Sequence, residues 1–339
     1  MGPRAIAATA ARRGDDMTKI LITRGVFPEI VEALSRRFEV EHNAEDRPWP
    51  PEELARRLQG KAGAMATVMD RFDEPILAQC PGLKVISNIA VGYNNIDVAA
   101  CTRRGIRVTN TPGVLDDTTA DLTWALLMAA ARRIAEGDAY VRAGEWKIAF
   151  GVQAFLGADI HHATLGIIGM GRIGQAIARR ARGFDMRVVY YNRSRLDEAD
   201  ERALGATRVE RDELLAQSDF VVVMAPYSPA THHLIGAAEI AKMKPTAILV
   251  NTARGGVVDD AALVEALQAR RIAGAGLDVF EGEPRVHPGY LPLRNVVMTP
   301  HIGSASRATR MKMCETALAN LTAALDGRIP PNLVNKELQ

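Results

Sequence analysis

A glycine-rich turn between an apolar segment and a helical segment constrains the fold of this chain more than any other feature. Residues 165–168 are apolar and lead directly into Gly169-Met-Gly171-Arg-Ile-Gly174, after which apolar residues recur at helical spacing over 173–182. Gly169 permits a tight turn, Gly171 lets the backbone approach a ligand closely, and Gly174 lets helix pack on strand. The pattern predicts a strand, a turn and a helix, the unit from which parallel α/β sheets are built.

The same turn predicts a dinucleotide site. The first N–H groups of a helix have no partner within the helix, and its N-terminus is the positive end of the helix dipole. Phosphate groups bind well at such an end. We therefore predict that Gly169, Gly171 and Gly174 hold the pyrophosphate of a dinucleotide; the alternative is a purely structural turn.

Short apolar segments alternate with helical segments along the whole chain, which is typical of parallel sheets covered by helices on both faces. Because 339 residues exceed what one core usually holds, the pattern predicts two doubly wound α/β units, with the last helix, 307–325, packing on the first unit. The predicted strands are 19–23, 62–68, 83–91, 107–111, 165–168, 187–191, 220–225, 247–251, 274–279 and 296–299.

The residues after the predicted strand 187–191 indicate which dinucleotide binds. NAD sites of this type present an acid to the ribose about 20 residues after the glycines, and here Asn192 stands in that region. An acid would repel a 2′-phosphate, whereas Asn192 does not, and Arg193, Ser194 and Arg195 add donors suited to phosphate oxygens. We predict NADPH as the cofactor, with NADH as the alternative. A further alternative is that residues 193–195 form a basic loop that is only solvated and binds no phosphate.

Charged residues follow several predicted strands, at the edge where ligands bind in open parallel sheets. Hydride transfer to a carbonyl needs a proton donor, and the imidazole of His301 titrates near neutral pH. Glu283 is the acid best placed to favour its charged form, and Arg254 is suited to holding a substrate carboxylate through two hydrogen bonds. These three residues predict a catalytic site for a 2-oxo acid.

Composition excludes other classes of function. The 42 basic and 40 acidic residues give no electrostatic case for nucleic acid or membrane partners, and the three cysteines are far apart, as in a protein of a reducing compartment. The apolar run 122–131 is about half the ~20 residues that span a bilayer, and predicts either a core helix or a helix shared across a dimer interface. The pairs His161-His162 and His232-His233 predict no metal site, since adjacent residues share neither a helix face nor a strand face. We expect a cytoplasmic protein with a disordered leader over residues 1–16.

Together these motifs resemble the D-isomer-specific 2-hydroxyacid dehydrogenases, and within them the glyoxylate/hydroxypyruvate reductases that also reduce 2-ketogluconate. The resemblance covers about 19–335. Its motifs are Val91-Gly92, Thr118-Thr119-Ala120-Asp121, the glycine turn, Val250-Asn-Thr-Ala-Arg-Gly255, Gly276-Leu-Asp-Val-Phe280, Glu283-Pro284 and Pro300-His-Ile-Gly-Ser304.

The resemblance implies roles for individual residues. His301 is the acid/base, Glu283 orients it, and Arg254 binds and polarises the substrate. The backbone amides of Val91 and Gly92 contact the substrate carboxylate, and Asp278 contacts the nicotinamide amide. The remaining cofactor-lining residues are Thr119, Arg172, Ile173, Pro226, Thr252 and Ala253.

The resemblance also implies a Rossmann cofactor domain over 115–304, a flavodoxin-like substrate domain over 17–114 and 305–335, and a homodimer. The predicted function is NADPH-dependent reduction of small 2-oxo acids (glyoxylate, hydroxypyruvate, 2-ketogluconate) to D-2-hydroxy acids. Two alternatives remain open, an NAD-dependent dehydrogenase of another D-2-hydroxy acid and a dinucleotide-sensing interaction protein.

Overall fold

Two parallel sheets form the framework of the computed structural model, which describes residues 17–339. The predicted leader, 1–16, lies outside these described residues. The contacts divide the chain into two units. One contains the described residues up to Val114 together with Arg310–Gln339, and the other is Leu115–Thr309.

The first unit contains five parallel strands in the order β2-β1-β3-β4-β5. This is the flavodoxin-like order. All residues of the two strands β3 and β4 are buried, as expected for a sheet covered on both faces. The elements are β1 (Lys19–Ile22), α1 (Pro28–Ser35), β2 (Glu39–His42), α2 (Pro51–Leu58), β3 (Gly63–Ala66), α3 (Glu74–Leu77), β4 (Val85–Asn88), α4 (Val98–Arg103) and β5 (Arg107–Thr109).

The second unit contains seven parallel strands in the order β12-β11-β10-β9-β6-β7-β8. Its chain order reverses beside β6, as in dinucleotide-binding Rossmann sheets. The elements are α5 (Asp116–Ala131), α6 (Ile134–Arg142), β6 (Thr164–Ile168), α7 (Arg172–Ala181), β7 (Arg187–Tyr191), α8 (Glu198–Leu204), β8 (Ala206–Arg208), α9 (Arg211–Gln217), β9 (Phe220–Val223), α10 (Ala237–Ile240), β10 (Ile248–Asn251), α11 (Asp260–Gln268), β11 (Gly274–Leu277) and β12 (Val296–Met298). The predicted fold class, two doubly wound α/β domains, is confirmed.

The last helix, α12 (Arg307–Leu325), contributes to the core of the first unit as predicted. Its residues Cys314, Ala317 and Leu321 are buried in one cluster with Ile20 and Ile22 of β1. The buried hydroxyl of a serine on β4 also donates to the Ala317 carbonyl at 2.8 Å. The C-terminal part of the chain therefore completes the hydrophobic core of its N-terminal part.

One short helix of the first unit begins at a polar cap. Helix α4 begins at Val98, because the side chain of Asp97 accepts the Ala100 N–H at 2.8 Å and caps it there. A short polar residue in that position is a standard helix start, and this signal was present in the sequence.

The apolar helix α5 is packed inside the second unit, against α7 and β11, with Trp124, Leu126 and Leu127 almost fully buried. This is the core-helix alternative. Among the described residues, no helix is long and apolar enough to span a bilayer.

Exposed apolar side chains follow α5 instead. Helix α6 has no buried residue, and Trp146, Ile148 and Val152 are 56%, 81% and 96% exposed. Several large apolar side chains exposed on one segment are typical of an association surface. We therefore expect the predicted homodimer contact on this segment.

A double variant with two charges on this segment tests the expected contact. Light scattering should give the mass of a dimer for the wild type and of a monomer for I148D/V152D, because the charges would be buried in the contact. A monomeric wild type would contradict this.

Candidate active site

The glycine turn lies between β6 and α7, and its three glycines differ in their surroundings. Gly169 has φ +106°, and a Cβ there would lie 2.6 Å from the Ala225 nitrogen. A Cβ on Gly174 would lie 2.4 Å from the Gly169 carbonyl oxygen. A Cβ on Gly171, in contrast, would have no heavy atom within 4 Å outside its chain neighbours and its own helix backbone. Two of the glycines are therefore required by the fold, and the third leaves space beside the backbone.

The space beside Gly171 fits a phosphate. Gly171 is the N-cap of the ten-residue helix α7, and no side chain caps the first N–H groups of this helix. Uncapped N–H groups at the positive end of a helix dipole bind anions. The turn thus has the shape and the donors needed for the pyrophosphate of a dinucleotide.

Asn192 contacts this turn directly. It follows β7, and its side-chain oxygen Oδ1 accepts the Met170 N–H at 2.7 Å. This contact, which residue spacing did not indicate, fixes Asn192 beside the glycines. An aspartate at this position has the same acceptor oxygen, so the contact does not itself require the neutral amide.

The three residues after Asn192 are not equivalent. The guanidinium of Arg195 grips both carboxylate oxygens of Glu201, with its Nη2 at 2.7 Å from Oε2, and the Tyr190 hydroxyl donates to the same carboxylate at 2.6 Å. These hydrogen bonds from Arg195 and Tyr190 lower the pKa of Glu201 to about 2. Arg193 and Ser194 are exposed, and their side chains have no hydrogen bond or ion pair within 17–339. Arg195 is thus paired with Glu201, whereas the donors of Arg193 contact no other part of the described chain.

The other residues predicted to line the cofactor lie on α5 and α7 and in the segments after β9 and β10. Thr119 lies beside Gly303, since a Cβ on Gly303 would be 3.4 Å from Thr119 Cγ2. The Thr252 hydroxyl is 2.7 Å from the Thr123 hydroxyl. Arg172 is exposed and its Nε lies 3.3 Å from Asp116. The remaining three are Ile173, half-buried, Pro226, exposed after β9, and Ala253, buried after β10.

Asp278 holds the segment that carries His301. Its carboxylate is buried and accepts the Thr299 hydroxyl at 2.6 Å and the Ile302 and Gly303 N–H groups at 2.8 Å each. Its carbonyl also accepts the His301 N–H at 2.9 Å. Burial raises the pKa of Asp278, against the effect of these hydrogen bonds and of His301. The contact of Asp278 with the nicotinamide amide stays a prediction. Its hydrogen bonds to the backbone around His301 were not predicted from the sequence.

His301 and Glu283 are brought into direct contact. The Nδ1 of His301 lies 2.7 Å from Glu283 Oε2, and Glu283 Oε1 accepts the Phe280 N–H at 2.8 Å. Burial by itself would raise the pKa of Glu283, but the hydrogen bond and charge of His301, the Phe280 N–H and the charge of Arg254 outweigh burial and lower it. Glu283 is therefore held as a carboxylate against the imidazole. His301 has φ +53°, a conformation maintained by the contacts of Asp278.

Arg254 lies on the loop after β10, beside the loop that carries Glu283. A Cβ on Gly255 would lie 1.8 Å from the Phe280 carbonyl oxygen, so the two loops approach closely only because residue 255 is glycine. Asn251 shapes the first loop, accepting the Ala253 N–H at 3.1 Å and donating to the Arg254 carbonyl at 3.2 Å. Burial lowers the pKa of Arg254, and the charge of Glu283 opposes this.

The residues that support the Glu283 loop were not predicted from the sequence. The carboxylate of Asp260, on α11, accepts the Glu281 N–H at 2.9 Å and the Tyr290 hydroxyl at 3.0 Å, and the Asp260 and Tyr290 side chains are buried. Asp260 is the second acid of the Asp259-Asp260 pair at the start of α11. The sequence contained the helix-start signal but not this long-range contact.

Val91 and Gly92 lie in the first unit, after β4. Their carbonyl oxygens accept hydrogen bonds from Asn110 at 2.9 Å and Asn88 at 2.8 Å, respectively. Within the described residues their own N–H groups donate to no protein atom. The segment is thus fixed through its carbonyls and leaves its amides as donors; their role in substrate binding stays a prediction.

The His232-His233 pair does not follow the rule used in the sequence analysis, that adjacent side chains point to different faces. His232 and His233 follow a short helical turn and belong to neither a helix nor a strand, and His233 has φ +49°. Their rings consequently lie on the same side and stack, with centroids 3.9 Å apart. The rule was therefore wrong for this pair.

A Rossmann sheet with an open, uncapped glycine turn defines a dinucleotide-binding protein, and comparison with known proteins identifies its kind. Residues 124–303 match the model of the D-isomer specific 2-hydroxyacid dehydrogenase NAD binding domain. A glyoxylate reductase of Thermococcus gammatolerans is 49% identical over 323 residues, 94% of this chain and 96% of the relative.

Solved structures agree with this match. A glyoxylate reductase from Paecilomyes thermophila is 34% identical, with a TM-score of 0.84 over 95% of this chain and 99% of that one. An NADPH-dependent glyoxylate/hydroxypyruvate reductase from Sinorhizobium meliloti, in complex with NADP and malonate, is 32% identical, with a TM-score of 0.84 over 94% and 97%. The chain belongs to the D-isomer specific 2-hydroxyacid dehydrogenase family, and is an NAD(P)-dependent oxidoreductase. The predicted family is confirmed.

The different surroundings of the glycines lead to a paired prediction. Gly171→Ala should leave the melting temperature nearly unchanged but weaken dinucleotide binding by about tenfold or more, because the new methyl group occupies space beside the phosphate site. Gly174→Ala should instead destabilise the fold by about 1–3 kcal/mol, since its Cβ meets backbone. Calorimetry of unfolding and of dinucleotide binding measures both effects; the same loss of stability in both variants would contradict this assignment.

Proposed function

We propose that this protein reduces small 2-oxo acids, with glyoxylate, hydroxypyruvate and 2-ketogluconate as the candidates, to D-2-hydroxy acids with NADPH. The observation that carries the proposal is the 2.7 Å contact between His301 Nδ1 and Glu283 Oε2 on loops next to Arg254. The functions of the similar proteins, glyoxylate reductase and glyoxylate/hydroxypyruvate reductase, support it.

In this proposal His301 supplies the proton. When bound, the reduced dinucleotide supplies a hydride to the carbonyl carbon of the substrate. The carbonyl oxygen then needs a proton, and an imidazolium whose Nδ1–H is held by Glu283 presents its Nε2–H as the donor. The carboxylate of Glu283 accepts the Nδ1–H and so fixes the orientation of the ring.

Arg254 binds the substrate carboxylate in this proposal. Within the described residues, the only hydrogen bond of its guanidinium is from Nη1 to the neighbouring Ala253 carbonyl, at 2.7 Å. The remaining N–H groups are available for the planar, two-bond contact that guanidinium makes with carboxylate. Because the group is partly removed from water, such a contact is stronger than at the surface, which favours a 2-oxo acid over a simple ketone.

The proposed preference for NADPH rests on Asn192 and Arg193. Asn192 is fixed beside the glycine turn without a negative charge, and the exposed Arg193 next to it has no protein partner among residues 17–339. A neutral amide and a free guanidinium suit a ribose 2′-phosphate, which an acid would repel. Arg195 contributes less, because its Nε and Nη2 donate to Glu201 and its charge is paired there.

Replacement of the proposed proton donor tests the reaction. His301→Asn should lower kcat by about 10²–10⁴-fold by loss of general acid catalysis. Asn is chosen because it tolerates positive φ better than Ala. Turnover is followed by the loss of NADPH absorbance with glyoxylate, hydroxypyruvate and 2-ketogluconate. His287→Asn, in the same unit, is the control and should retain activity. Near-normal turnover by His301→Asn would show that the proton comes from another group.

The preference for NADPH over NADH is tested separately, by changing the charge beside the proposed site of the 2′-phosphate. Asn192→Asp keeps the acceptor for the Met170 N–H but adds a negative charge, so the ratio of kcat/KM with NADPH to that with NADH should fall by about tenfold or more, about 1.4 kcal/mol. Arg193→Ala should lower the same ratio, whereas Arg202→Ala, an exposed arginine on α8, should not. A wild type that prefers NADH would instead favour the NAD-dependent alternative.

A further inference from the structure

A second cluster of chemically competent side chains lies outside the proposed catalytic contacts. It consists of His232, His233 and Glu281, and is called here the HHE cluster. One ligand atom from each of the three lies within 4.8 Å of the other two. Among residues 17–339, no other group of three His, Cys, Asp or Glu side chains meets this condition.

The backbone explains why adjacent histidines converge here. His233 adopts φ +49°, and its N–H donates to the Gly256 carbonyl at 2.8 Å. The ring of His232 lies above Gly256, since a Cβ there would be 3.7 Å from His232 Nδ1. With the two rings stacked, both imidazoles face the same side of the loop.

The two nitrogens of His233 both face carboxylates. Nε2 lies 3.1 Å from Glu281 Oε2, and Nδ1 lies 3.6 Å from Asp259 Oδ2. A histidine that binds a metal typically gives its other N–H to a carboxylate, which fixes the tautomer. With the Nδ1 proton directed toward Asp259, the lone pair of Nε2 faces an oxygen of Glu281, and a bound cation would satisfy both of these acceptors.

We propose that the HHE cluster is a zinc site with His232, His233 and Glu281 as ligands and Asp259 as the carboxylate that orients His233. Two imidazoles and one carboxylate are a ligand set that Zn²⁺ accepts, with a fourth tetrahedral position left for water or another ligand. His232 and Glu281 are exposed and His233 is part-buried, so an ion can reach the three ligand atoms.

A bound ion would join two loops that carry separate parts of the unit. Glu281 is tied to α11 through the hydrogen bond from its N–H to Asp260, and His233 is tied to the loop at Gly256. Because an ion that binds only the folded state stabilises it, the melting temperature should rise with Zn²⁺ concentration. This inference does not depend on the proposed substrate.

The test is a titration of tag-free protein with Zn²⁺, followed by calorimetry and, with Co²⁺ as the probe, by visible absorption. The wild type should bind one equivalent per chain. His233→Asn and Glu281→Gln should each weaken binding by about tenfold or more, and Asp259→Asn should weaken it by about 10–100-fold. Asn still caps α11 through the contact with Ala262, so the helix is preserved.

The His161-His162 pair provides the matched control. It is also an adjacent pair of exposed histidines near an acid, Asp159, but it lacks the three-group geometry. His161→Asn should bind Zn²⁺ like the wild type. Equal binding by the wild type and by the double variant His233→Asn/Glu281→Gln, or the absence of saturable binding in the wild type, would overturn the proposal. In that case, the HHE cluster would be a hydrogen-bonded ion pair.

Discussion

The hydrogen bond between His301 and Glu283 depends on the precise placement of two loops that follow neighbouring strands of one sheet. Each side chain is part-buried, and the hydrogen bond and charge of His301 lower the pKa of Glu283. Removal of one partner would leave the other charge poorly compensated, which is costly when water is partly excluded. The surrounding residues can be understood as the supports of this one contact.

Three of these supports act through buried hydrogen bonds or close packing. Asp278 fixes the backbone around His301, and Asp260 fixes the loop that leads to Glu283. Gly255 allows the Arg254 loop to approach that same loop, since any side chain at 255 would meet the Phe280 carbonyl. Buried carboxylates thus organise the backbone here, and the partly exposed Glu283 is left for the histidine.

The fold could be predicted from the sequence where the signals were local and strong. Apolar strands and the glycine turn identified both sheets, but β2 and β8 were missed because they are edge strands of three or four mostly polar residues, without an apolar run. Glu283, His301 and Arg254 could be selected because charged side chains after parallel strands meet at one edge. The contacts of Asp260, Arg195 and the stacked histidines depend on loop conformation, which residue spacing does not specify.

The most direct test of the central role of the His301–Glu283 contact is a double-mutant cycle on kcat with His301→Asn, Glu283→Gln and the combined variant. If Glu283 acts only through His301, the combined variant should be about as slow as His301→Asn alone, because the carboxylate has nothing left to orient. Independent contributions would instead multiply, and the combined variant would be slower than His301→Asn by the full factor of the Glu283→Gln variant. That result would contradict a mechanism in which the two residues act as one unit.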